Sequence, residues 1–200
     1  VDLNGLVIAV PSIKVSVFLD DEDCALIDKE IEGLRKSYRT NKFEENVPDF
    51  NNIDLFEKYF TEKNFLINET YTDKKDILEV IYETLAEDED SKKLFEEKTI
   101  IRENFSSIVF KDLIAIPHPI SPVKTEAEVF AVISRKDINW GRDSDKVRLI
   151  FYISPAKKKD SDFEKIIRIF TKLLKDDSSI ENLTKVGNFK DFKKIILKLI

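Results

Sequence analysis

The spacing of apolar residues changes several times along the 200-residue chain, and each change predicts an element. "GLVIAV" and "KVSVFL" are short β-rich runs separated by Pro11-Ser12. Leu26, Ile27, Ile31 and Leu34 then recur at helical spacing, with Asp20 or Asp21 placed to cap the helix. This β-β-α piece ends near Arg39. Three elements cannot bury a full core, so the piece reads as the tail of a larger domain or packs on the rest of the chain. Residues 40–52, "TNKFEENVPDFNN", have the polar, turn-rich composition of a linker.

From Ile53 the pattern describes one longer unit. "IDLFEKYF" predicts a short helix and "FLINETY" an extended segment. Thr72 is placed to cap a helix over "DKKDILEVIYETLAED", with Ile77, Ile81 and Leu85 on one face. Ser91 is placed to cap the next, "KKLFEEKTIIREN", which ends close to Asn104. "SIVF" and "LIAI" read as short strands around Lys111-Asp112. "AEVFAVISR" and "KVRLIFYIS" carry the unbroken apolar stretches of buried central strands, and the polar "KDINWGRDSD" between them reads as a turn holding Trp140. Asp160, Ser161 or Asp162 precedes a helix with Phe163, Ile166, Ile167, Phe170 and Leu174 on one stripe. "DDSSIENLTKVGN" reads as a turn with Gly187 as a helix stop, and "FKDFKKIILKLI" as a final amphipathic helix. The order α-β-α-α-β-β-β-β-α-α predicts an α/β fold: a three-layer α/β/α sandwich, with a mixed β-sheet flanked by helices.

Charge narrows the classes of partner. Lys and Arg number 33 against 39 Asp and Glu, a formal net charge of -6, which disfavours nucleic-acid binding through this segment. No apolar run reaches the roughly 20 residues that cross a bilayer, so no membrane contact is expected. A single cysteine, Cys24, excludes an internal disulfide and fits a reducing, cytoplasmic setting. The chain starts at Val1 and holds no Met, as expected of a piece of a longer protein.

The candidate chemistry centres on the only histidine, His118, in "LIAIPHPISP". Pro117 and Pro119 fix their own φ and bias Ile116 and His118 toward extended geometry, so the ring is presented with little conformational freedom. An imidazole with an ordinary pKa of about 6.5 is in large part an unprotonated nucleophile near neutral pH. One His without neighbouring Cys cannot supply a usual zinc set, and no metal or cofactor is expected. The G-x-S-x-G elbow and the phosphate-cradling G-x-x-x-x-G-K-[ST] loop are both missing. Two readings of these residues stay open: a covalent phosphoryl acceptor, and a histidine in a Pro-rich turn with no chemical role.

"IIREN…SSIVFKDLIAIPHP" resembles the EIIA domain of the fructose/mannitol class of the bacterial phosphoenolpyruvate-dependent sugar phosphotransferase system. An Arg-Glu pair, a Ser-containing turn and "AIPH" carry the likeness, with Arg102 sixteen residues before His118. The likeness covers residues 53–200 and implies a phosphoryl carrier rather than a stand-alone enzyme. It implies that His118 accepts a phosphoryl group from the phosphohistidine carrier HPr and that Arg102, beside Glu103, holds the phosphoryl oxygens. It also implies that Asp112 helps to orient the ring. The family's usual glycines are replaced by Val109, Lys111 and Leu113, and no second histidine exists here.

The "PHP" form and the Trp140 turn look more like EIIA domains at the C-terminus of PRD-containing antiterminators and activators. Residues 1–39 resemble the end of an EIIB-like domain, which precedes EIIA in such regulators. The resemblance thus implies a phosphoryl-accepting domain of a sugar-responsive transcription regulator. Its partners would be HPr and neighbouring PRD and EIIB-like domains, with a homodimer left open. A transporter EIIA that passes the group to EIIB is the alternative, and a degenerate interaction domain that is never phosphorylated is the third.

Overall fold

A computed structural model describes residues 52–141, 146–158 and 162–199. The expected EIIB-like tail and, apart from Asn52, the expected linker lie outside these residues. The elements run α1 (Asn52–Tyr59), β1 (Phe60–Asn68), α2 (Lys74–Leu85), α3 (Glu89–Phe105), β2 (Val109–Phe110), β3 (Ile114–Ala115), β4 (Glu128–Ile138), β5 (Val147–Ser154), α4 (Phe163–Leu173), α5 (Asp177–Thr184) and α6 (Phe189–Ile196).

The five strands form one mixed sheet in the order β1-β4-β5-β3-β2. β1 is parallel to β4, and β3 is parallel to β5; the β4–β5 and β2–β3 pairs are antiparallel. β4 and β5 sit in the middle, which explains their unbroken apolar runs: both faces are covered. Val129, Ala131, Ile133, Leu149, Phe151 and Ile153 lie under α1, α4, α5 and α6. Their neighbours Phe130, Val132, Ile150 and Tyr152 lie under α2 and α3. The alternation along each strand thus feeds two separate cores, and the expected three-layer α/β/α architecture is the one observed. The first core is rich in aromatic pairs, such as Phe56 and Phe60 stacked at 5.0 Å.

Several local expectations are corrected. Asp73, not Thr72, caps α2, accepting from the Lys75 amide. α3 starts at Glu89 with Asp88 as its cap; Ser91 is the third helical residue and closes a reciprocal capping box. β1 begins at Phe60, five residues before the expected extended segment. "DDSSIENLTKVGN" contains α5, because the Asp176 carboxylate accepts from the amides of Ser178 and Ser179 and caps a helix there. Those bonds, above all from Ser179, hold its carboxyl at about 2. Trp140 is not in an exposed polar turn: β4 runs on to Ile138, and the indole is only 4% exposed, packed in the second core.

The missing glycines of the β2–β3 turn have a structural counterpart. Lys111 and Asp112 take φ of 55° and 52°, and the Leu113 amide donates to the Phe110 carbonyl at 3.1 Å. Two consecutive left-handed residues, closed by that bond within a three-residue connection, make a turn of the I′ kind, which favours Gly and Asn. A non-Gly residue there is strained by about 1–2 kcal/mol. Lys111→Gly is expected to raise stability by about 0.5–1 kcal/mol, the relief being partly offset by a freer unfolded chain. The midpoint of urea unfolding checks this; a lower midpoint would show that the ion pair of Lys111 with Asp177 outweighs the strain.

Candidate functional site

The site forms where α3 ends beside the segment that leaves β3. Phe95, Thr99 and Arg102 face inward from α3 at helical spacing. The Thr99 and Tyr152 hydroxyls lie 2.8 Å apart and tie α3 to β5. On the other side the Ile116 amide donates to the Ile108 carbonyl at 3.0 Å, and the Pro117 carbonyl accepts from Ile153 at 2.9 Å. Beyond His118 the chain returns to α3: the Ile120 amide donates to the Lys98 carbonyl at 3.0 Å. The prolines therefore sit in a segment pinned to the sheet before the histidine and to the helix after it.

His118 is 1% exposed and Arg102 3% exposed, and they meet directly: Arg102 Nε donates to His118 Nε2 at 2.9 Å. A guanidinium nitrogen only donates, so Nε2 must carry the lone pair. The ring in this arrangement is neutral, with its proton on Nδ1, which donates to the Ile116 carbonyl at 3.2 Å. The backbone, two residues back in the chain, thus selects the tautomer.

A buried guanidinium needs further acceptors. Arg102 Nη1 donates to Ser106 Oγ at 3.0 Å and approaches the Ser106 carbonyl at 3.5 Å. Its place in the last turn of α3 also sets the cation against the negative end of the helix dipole. A neutral imidazole with a lone pair beside a buried, fork-shaped cation is suited to receiving an anionic group.

The other two expected site residues lie apart from the ring. Glu103, about 100° round the helix from Arg102, pairs with Lys74 Nζ at 2.7 Å and accepts from Trp140 Nε1 at 3.2 Å. It joins the start of α2, the end of α3 and the end of β4. Asp112 is exposed in the left-handed turn, and among the described residues no hydrogen bond joins it to His118. The Ile116 carbonyl occupies the ring-orienting position expected of it. Sequence reasoning missed Ser106 and Ile116. Ser106 left one signal, its position four residues after Arg102 at the end of a helix, where the two side chains share a face.

Among the described residues no group of three or more His, Cys, Asp or Glu could hold a metal ion, and no helix is long and apolar enough to cross a membrane.

Comparison with known proteins agrees with this geometry. Residues 58–199 match the family model described as "Phosphoenolpyruvate-dependent sugar phosphotransferase system, EIIA 2". The probable licABCH operon regulator of Bacillus subtilis (strain 168) is 26% identical over 95 residues, covering 47% of this chain and 14% of that protein. The chain therefore corresponds to only a small part of that relative. The nitrogen regulatory protein IIA-Ntr of Neisseria meningitidis has a similar fold, with a TM-score of 0.54 at 19% identity over 67% of this chain and 94% of that one. Enzyme IIA of the mannitol system of Escherichia coli, solved in complex with phosphorylated enzyme IIB, gives 0.54 at 17% identity over 70% and 97%. With most of its length, and the whole of the site around His118, inside the matched region, this chain belongs to the EIIA type-2 family of the phosphoenolpyruvate-dependent sugar phosphotransferase system.

Proposed function

We propose that His118 is a phosphoryl acceptor served by HPr, and that the domain reports carrier phosphorylation to a cytoplasmic, sugar-responsive transcription regulator. The observation that carries this is the 2.9 Å contact between Arg102 Nε and His118 Nε2 inside the protein. In the transfer, the Nε2 lone pair attacks phosphorus, and the P–N bond of the carrier breaks with its electron pair returning to the carrier's ring. The proton stays on Nδ1 throughout, donated to the Ile116 carbonyl. Arg102 moves off Nε2 and turns its N–H groups to the phosphoryl oxygens, where a planar fork matches two of them. The phosphoryl group carries a charge of about −2, while the ring, substituted at Nε2 and still protonated at Nδ1, becomes cationic.

A protein donor has to dock beside this site, and the helix that carries Arg102 offers exposed apolar residues for that. Among the described residues six large hydrophobic side chains are exposed, and four of them, Leu94, Ile100, Ile101 and Phe105, lie on α3. Leu94, Ile101 and Phe105 form one stripe along the helix beside Arg102. Ile101→Glu is expected to raise the KM for the carrier about 10-fold, as loss of one interface residue does, and to leave thermal stability unchanged. An unchanged KM would place the carrier elsewhere.

The regulator reading draws on the likeness to an operon regulator. With it goes the assignment of residues 1–39 to the end of an EIIB-like domain, 40–52 to a linker and 53–200 to the EIIA domain. The test is incubation with phosphoenolpyruvate, enzyme I and HPr. Acid-labile phosphate on the chain supports the proposal; its absence favours a degenerate interaction domain. Onward transfer to a cognate EIIB and a sugar would instead make the protein a transporter component.

A further inference from the structure

Arg102 carries a long side chain, and its usefulness at His118 depends on where the guanidinium ends. Among its contacts, Nε donates to His118 and Nη1 to Ser106 Oγ, and together these two bonds fix the guanidinium plane. We infer that Ser106 is a positioning residue of the phosphoryl-transfer site, acting through Arg102; the inference rests on His118 being the phosphoryl acceptor.

Three observations carry it. Ser106 is the C-cap of α3, with extended backbone at φ −161° and ψ 153°. Its hydroxyl nevertheless returns to the last helical turn, to a residue four positions back. Ser107, one residue on, uses its hydroxyl differently, accepting from the Val109 amide at 3.2 Å. The two adjacent serines therefore do separate jobs, one on the turn and one on the arginine.

Second, the wall beside Ser106 is not filled. A cavity of about 120 Å3 is lined there by Lys74, Glu103, Asn104, Ser106, Ser107 and Trp140, among others. Arg102 itself does not line this space and is buried, so the Ser106 hydroxyl stands between the open side and the enclosed guanidinium. The contact of Nη1 with the Ser106 carbonyl is long, at 3.5 Å, and is weaker than the 3.0 Å bond to the hydroxyl.

Third, Ser106 starts the segment that leads to the acceptor. Two residues later the Ile108 carbonyl holds the Ile116 amide, and the Ile116 carbonyl holds the His118 ring. The anchor of the arginine and the anchor of the histidine are thus fixed to one another through a few residues of backbone. Such an arrangement keeps Nε aligned with Nε2.

The test uses the full chain as wild type, Ser106→Ala and Ser106→Thr. The first readout needs no phosphorylation: the nitrogen–nitrogen scalar coupling across the Arg102 Nε–H to His118 Nε2 hydrogen bond, measured by 15N NMR. Wild type and Ser106→Thr are expected to show it and Ser106→Ala to lose it while remaining folded, with a thermal midpoint lowered by a few degrees for the lost acceptor. The second is transfer from phosphorylated HPr, where Ser106→Ala is expected to lower kcat by up to about 100-fold at constant KM, with recovery in Ser106→Thr. A coupling that survives in Ser106→Ala, or a kcat that does not fall, overturns the inference. A wild type that shows the coupling but accepts no phosphoryl group sinks the proposed function instead and leaves the positioning of Arg102 by Ser106 standing.

Discussion

Replacing Arg102 with alanine is expected to slow phosphoryl acceptance by about 10²- to 10³-fold, the usual cost of removing one preorganised donor from a charge-developing site. The guanidinium is buried, tied to Ser106 and already in contact with the accepting nitrogen, so little reorganisation precedes the reaction. In a setting of low dielectric its charge acts on the phosphoryl oxygens with little screening. Arg102→Lys should recover only part of the loss, because an ammonium presents a point charge without the fork and has no second arm to reach both Ser106 and the phosphoryl group. Single-turnover transfer from phosphorylated HPr measures this. A rate for Arg102→Ala within a factor of three of wild type would contradict the assigned role.

The second large effect separates chemistry from stability at His118. His118→Gln is expected to abolish phosphorylation, since an amide offers no nucleophilic lone pair on nitrogen, while its carbonyl still accepts from Arg102. The fold should therefore survive nearly intact. His118→Ala abolishes phosphorylation as well, but it removes the acceptor that faces a buried, charged N–H. That change is expected to cost about 1–3 kcal/mol of stability, read as a lower denaturation midpoint than that of the glutamine variant. Equal midpoints for the two variants would show that water replaces the ring at no cost.

Much of this site was legible in the sequence, for physical reasons. A histidine between two prolines announces a fixed backbone, and the structure pins that backbone on both sides, at Pro117 and at Ile120. β4 and β5 were legible because a strand covered on both faces carries an uninterrupted apolar run. The pairing of Arg102 with His118 came from the family likeness alone; spacing along the chain does not reveal that the end of α3 meets the exit of β3. Asp112 was assigned to the ring by the family likeness; it sits in a left-handed turn before the chain reverses, and a backbone carbonyl, invisible in any residue pattern, holds the ring. Trp140 was misplaced because its neighbours are polar. Its burial depends on Glu103, thirty-seven residues away, accepting the indole N–H. α5 was missed because "DDSS" carries both turn and helix-cap signals, and only the bonds from Ser178 and Ser179 to Asp176 decide between them.

The most direct measurement is 31P and 15N NMR of the chain after reaction with phosphoenolpyruvate, enzyme I and HPr. One phosphorus bonded to His118 Nε2, with Nδ1 still protonated, is the predicted product. Phosphorus on Nδ1, or no phosphohistidine at all, would contradict the placement of the acceptor lone pair beside Arg102.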